Sequence, residues 1–129
     1  MTEESKKPKV LIVDDEPNII MSLDFLIRKE GYELFIARNG SEAMETLRDV
    51  YPDLVILDIM MPDIDGYKVC KFIKQSLTHS HTKVVFLSAK SKAEDIQKGL
   101  DLGADLYITK PFSTRHLMKE IKNLLNFNP

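Results

Sequence analysis

Apolar positions along the chain fall into two rhythms. Five short runs rich in β-branched residues recur: 10–13 (VLIV), 34–37 (LFIA), 54–57 (LVIL), 84–87 (VVFL) and 106–109 (LYIT). VLIV, LVIL and VVFL are apolar throughout rather than alternating, as in strands covered on both faces. Roughly 16 to 26 residues separate successive runs, enough for a helix and its turns and far more than a hairpin needs.

The intervening segments have helical spacing. Ile19, Ile20, Leu23, Leu26 and Ile27 share one stripe, and Gly31 follows as a C-terminal cap. Ala43, Leu47 and Val50 mark a second helix, and Val69, Cys70, Ile73 and Leu77 a third. Ser91-Lys92-Ala93-Glu94 has the capping-box pattern and opens a fourth, with Ala93, Ile96 and Leu100 expected inward. Ser113 is placed to cap a fifth, whose stripe is Leu117, Ile121, Leu124 and Leu125. The order is βαβαβαβαβα. Right-handed crossovers then give an α/β fold, a five-stranded parallel sheet with five helices on both faces. The common doubly wound strand order for five strands is the flavodoxin-like 2-1-3-4-5, whose crevice lies outside the carboxyl ends of strands 1 and 3.

Composition narrows the class. A chain of 129 residues, 43% hydrophobic and 29% charged, suits one domain with a single core. Residues 1–8 read as a flexible N-terminal tail, 9–125 as the domain and 126–129 as a C-terminal tail. The net charge of −2 comes from mixed acids and bases, with no basic stripe for direct nucleic-acid binding. No apolar segment is long enough for a signal peptide or membrane span, and the lone Cys70 excludes an internal disulfide. A soluble, cytoplasmic protein is expected.

The chemistry sits at the strand ends. Strand 1 runs into Asp14-Asp15, strand 3 into Asp58, strand 4 into Ser88 and strand 5 into Lys110-Pro111. Strand 2, which lies outside this group in the predicted order, runs into Arg38-Asn39-Gly40 and brings no carboxylate. Singly, each residue has a bland reading: Asp14-Asp15 before Glu16-Pro17 suits a helix start, Asp58 a turn, Lys110 a solvated surface. The conjunction is specific. Three carboxylates on one rim repel one another, and a hard cation with oxygen ligands, Mg²⁺, offsets that cost. A cation, an ammonium and a hydroxyl donor are what a transferring phosphoryl group needs around its oxygens. Asp58, at the mouth of the central strand, is the best placed nucleophile for an acyl phosphate.

On VLIVDDEP at 10–17, LVILDIMMPDIDG at 54–66, VVFLSAK at 84–90 and GADLYITKPF at 103–112, the chain resembles a response-regulator receiver domain, the phosphoacceptor module of two-component signalling, from about Lys9 to Leu125. The resemblance implies that Asp58 takes a phosphoryl group from a histidine kinase or histidine phosphotransfer protein. Asp15 and Asp58 would then ligate Mg²⁺ directly, Asp14 through water, and Met60 through its backbone carbonyl. Ser88 and Lys110 would contact phosphoryl oxygens, Lys110-Pro111 would be a cis peptide, and Ser88 with Tyr107 would form the switch. It further implies signalling through the face of the fourth helix, fifth strand and fifth helix. There a phosphorylation-dependent homodimer is expected, with Arg115, Lys119 and Asp101 in weak intersubunit pairs. Lys83 stands where the family often has proline. Met60 and Lys90, two residues after Asp58 and Ser88, lie where the family tunes phosphoryl lifetime. An apolar Met60 cannot orient water, which predicts slow self-dephosphorylation.

Other functions make different demands on the same residues. A metal-dependent phosphohydrolase of the haloacid-dehalogenase type needs two acids spaced by two after strand 1 and a cap insertion; here the acids are adjacent and no insertion exists. A flavodoxin-like cofactor binder needs hydroxyl and glycine residues where this chain has DDEP, and an unphosphorylated interaction module would lack part of the acidic set. His79 and His81, an H-x-H pair, read as plain loop rather than a metal site. His116 reads as surface, Cys70 as a buried inert thiol, and Gly66 as a point of close backbone approach.

Overall fold

The computed structural model describes residues 7–126; most of both expected tails falls outside them. The elements are β1 (Lys9–Val13), α1 (Pro17–Lys29), β2 (Glu33–Ala37), α2 (Gly40–Asp49), β3 (Leu54–Leu57), α3 (Gly66–Gln75), β4 (Lys83–Ser88), α4 (Ala93–Asp101), β5 (Leu106–Thr109) and α5 (Thr114–Asn126). All strand pairs are parallel, in the order β2-β1-β3-β4-β5, as the spacing of the apolar runs predicts. Three strands begin or end one residue beyond those runs, because Lys9, Glu33, Lys83 and Ser88 contribute backbone pairing whatever their side chains.

Successive strand residues point to opposite faces, so the sheet divides its apolar residues between two cores. Leu11, Val13, Val55, Leu57, Val84 and Phe86 pack with Ala43 and Leu47 of α2 and Val69, Cys70 and Ile73 of α3. Val10, Ile12, Leu54, Ile56, Val85 and Leu87 pack with Leu23 and Ile27 of α1 and Leu117 and Ile121 of α5. Local signals end the helices: Gly31 takes φ +92 after α1, Asn39 and Asp65 accept from the Glu42 and Lys68 amides to start α2 and α3, and Ser113 accepts from the His116 amide.

Three helical expectations need correction. Leu77 does not extend the stripe of α3, which stops at Gln75, and it is 96% exposed. Val50 caps α2 from outside as a half-buried residue. In α4 the capping box does not form, since Lys92 occupies the N-cap without a side-chain bond. Ala93 and Leu100 are exposed and Ile96 half-buried. The residue of α4 that faces the sheet is Gly99, where a Cβ would come within 2.9 Å of the Phe86 ring. An apolar stripe cannot register a position whose role is to have no side chain.

Candidate functional site

The β-ladder itself brings the site together. Val13 pairs with Leu57 in register, so the next residues, Asp14 and Asp58, leave adjacent strands side by side. The Asp58 amide donates to the Val13 carbonyl at 2.9 Å, and the Lys110 amide to the Ser88 carbonyl at 2.8 Å. The peptide between Lys110 and Pro111 is cis. Behind Asp58 the first turn of α3 lies so close that a Cβ on Gly66 would meet the Asp58 carbonyl oxygen at 2.1 Å; only glycine permits that approach. The loop between β3 and α3 is tied to α2 by the Asp63 carboxylate, which accepts from the Gly40 and Ser41 amides at 3.1 and 3.0 Å.

Asp58 is 5% exposed and Asp14 2%. One Asp58 oxygen accepts from the Ile59 amide at 2.8 Å, and one Asp14 oxygen from the Glu16 amide at 2.9 Å. The Lys110 ammonium lies 3.1 Å from Asp14, 2.5 Å from Glu16 and 3.7 Å from Asp58. Burial pushes Asp58 up to about 6; Lys110 pulls it back, while the charges of Asp14 and Asp15 add to the rise. Burial also raises Asp14 against the pull of its hydrogen bonds. Desolvation works against the charge on Lys110, yet Glu16, Asp58 and Asp14 together outweigh it and its pKa lies above the ordinary value. Several acids around one ammonium leave net negative charge in a half-dry crevice. Carboxylate oxygens of Asp14, Glu16 and Asp58 lie within 4.8 Å of one another, an all-oxygen donor set that fits a hard divalent cation.

Of the residues expected at the site, Asp14, Asp58 and Lys110 meet directly. Ser88 is fully buried, its hydroxyl accepting from the Lys90 amide at 3.2 Å. Asp15 stands exposed at the mouth, outside the close carboxylate cluster. With Met60, Met61, Lys90 and Lys98 it lines an open groove of about 630 Å³. The Met60 side chain is 60% exposed. The Tyr107 hydroxyl donates to the Lys90 carbonyl at 2.7 Å, and its ring lies 5.7 Å from that of Phe86. Glu16 is the residue that sequence reasoning missed. Its place before Pro17 read as a helix start, and nothing local points to a lysine 94 residues away.

The remaining candidates fall away from the site. His79 lies in the loop between α3 and β4 as expected but is buried there: it is 3% exposed, with its ring 5.0 Å from Tyr51 and 5.9 Å from Phe72, whereas His81 is exposed. Cys70 is buried, and burial pushes its thiol up to about 11, an unreactive state. Among the described residues no helix is long and apolar enough to cross a membrane.

Residues 10–122 match the response regulator receiver domain family. A signal receiver domain of a signal transduction histidine kinase from Syntrophus aciditrophicus is 36% identical, with TM-score 0.84, covering 92% of this chain and 89% of that one. A putative response regulator from Chloroflexus aurantiacus is 33% identical, with TM-score 0.87 and coverage of 95% and 100%. The BeF3-activated receiver domain of DrrB is 30% identical, with the same TM-score and coverage.

Proposed function

Because the chain belongs to the response-regulator receiver family, we propose that it acts as a phosphoacceptor in two-component signalling, with Asp58 as the residue phosphorylated. The observation that carries the reading is a buried carboxylate raised to about 6, beside a second buried acid and an ammonium. Such a group is costly in the resting protein and gains from any cation that joins it. The donors are a histidine kinase or histidine phosphotransfer protein. In transfer, an Asp58 oxygen forms the bond to phosphorus as the bond from phosphorus to the donor nitrogen breaks, and the electron pair stays on the leaving imidazole.

The chain's own residues divide the work. Asp15 and Asp58, with the Met60 carbonyl and with Asp14 through water, would hold Mg²⁺, whose charge would offset that of the phosphoryl oxygens. Lys110 and the Ser88 hydroxyl bind those oxygens. Ser88 and Tyr107 form the switch: Ser88 leaves the Lys90 amide for the phosphoryl group, and Tyr107, now held by the Lys90 carbonyl, turns inward. The change reaches α4, β5 and α5. Leu100 on α4 is 40% exposed and adds apolar surface to the face where a phosphorylation-dependent dimer forms, flanked by Asp101, Arg115 and Lys119. The metal-dependent phosphohydrolase reading is not favoured, since the family is one of receivers.

Acetyl phosphate with Mg²⁺ is expected to label the wild-type protein on an acid-stable, base-labile mass adduct of one phosphoryl group. No adduct is expected for Asp58→Asn or in EDTA; full labelling of Asp58→Asn would end the reading. Met60→Asn is expected to shorten the acyl-phosphate lifetime, because an amide there can orient water. Sedimentation with and without beryllofluoride tests the dimer, which an unchanged monomer would refute.

A further inference from the structure

Glu16 occupies the N-cap of α1 in extended conformation, φ −88 and ψ 112, yet its side chain accepts no amide from the helix. That is the usual duty of a polar N-cap, so capping does not explain the carboxylate. It reaches instead across the rim from the end of β1 to the end of β5 and takes the Lys110 ammonium at 2.5 Å. The same ammonium is 3.1 Å from Asp14 and 3.7 Å from Asp58. The nearest partner of Lys110 is therefore the most exposed acid of the three, its side chain 54% exposed against 2% and 7% for the side chains of Asp14 and Asp58. It is not the acid at the centre of the site.

We propose that Glu16 is a positioning residue that holds Lys110 back from Asp58 in the resting protein, so that an anion arriving at Asp58 must draw the ammonium away from it. The proposal rests on the reading that Asp58 and Lys110 bind the phosphoryl group. An exposed carboxylate suits such a holding contact, because its loss is partly repaid by water. The contact is strong enough to fix where Lys110 rests and weak enough to be exchanged. Asp14 keeps the ammonium within the site while the exchange takes place, since an ammonium has three donors. Releasing Lys110 from Glu16 then strengthens the grip on the anion without a new contact.

The test is beryllofluoride binding at saturating Mg²⁺, followed by amide chemical shifts, in a double-mutant cycle of Glu16→Gln and Lys110→Gln. Glu16→Gln is expected to tighten beryllofluoride roughly two- to fivefold, the range of an exposed ion pair, with Glu16→Asp in between. In the Lys110→Gln background the gain is expected to vanish. Equal or weaker binding by Glu16→Gln, or the same gain without Lys110, overturns the proposal; the latter would mean that the carboxylate acts through its field alone. Calorimetric Mg²⁺ titration separates a ligand role, because a metal-ligating Glu16 would cost metal affinity at least tenfold, and that result also overturns it. If the wild-type protein binds no beryllofluoride at all, the phosphoacceptor reading falls first.

Discussion

At the amino ends of β1, β3, β4 and β5, polar groups satisfy one another; at the carboxyl ends of the same strands they are left in conflict. Asp105 accepts from the Val84 amide at 2.8 Å and from Lys74 at 2.9 Å, and Lys74 also donates to the Thr82 carbonyl. The Thr82 hydroxyl donates to the Pro52 carbonyl, and Asp53 accepts from the Lys9 amide. These bonds tie the loops that precede the strands to the strands, to α3 and to one another. At the other end Asp14, Glu16 and Asp58 share Lys110, and burial has raised both inner carboxyls. One edge of the sheet uses its polar residues for stability, while the other holds buried carboxyls whose charge its surroundings disfavour.

Substitutions can break or sharpen that contrast. Gly66→Ala has the largest expected effect. Its methyl must displace backbone at Asp58, which costs about 3 kcal/mol or more, read as a lower urea midpoint. Asp105→Ala follows, at about 2–3 kcal/mol, because the Val84 amide and Lys74 both lose a partner. Asp58→Asn is expected to move the other way. It removes a charge the crevice disfavours and stabilises the Mg²⁺-free protein at pH 7.5 by roughly 1–2 kcal/mol. A loss of stability there would remove the contrast.

The smallest effect is the pH dependence. Asp58 titrates at about 6 in the folded protein and near ~3.9 when unfolded. Between these values the folded state binds the proton more tightly. The stability this group contributes is therefore present below the unfolded value and lost as pH rises through 6. In EDTA the wild-type protein is expected to be more stable at pH 5 than at pH 7.5 relative to Asp58→Asn. Saturating Mg²⁺ is expected to shrink or reverse that difference, since a cation favours the carboxylate.

Much of the fold was legible because burial on both faces forces uninterrupted apolar runs, as in residues 54–57, and because Ser113 and Gly31 act through their own backbone neighbours. What escaped did so for nameable reasons. Gly99 packs by lacking a side chain, so Leu100 was wrongly turned inward. His79 is buried against Tyr51 and the Val50 carbonyl, from the far-off segment before β3, so nothing local showed its burial. Leu77 continued a periodicity that the chain abandoned at Gln75.

The sequence by itself determined the order of elements, the strand order and the set of residues at the strand ends, because parallel pairing delivers whatever follows each strand to one rim. Only the tertiary structure decided which carboxylate Lys110 sits against and that Asp15 stands outside the close cluster. It also decided that Gly66 must be bare. Those outcomes depend on distances of a few ångströms between residues up to 96 positions apart, and Coulombic and steric terms change sign or size over that range while the local pattern stays the same.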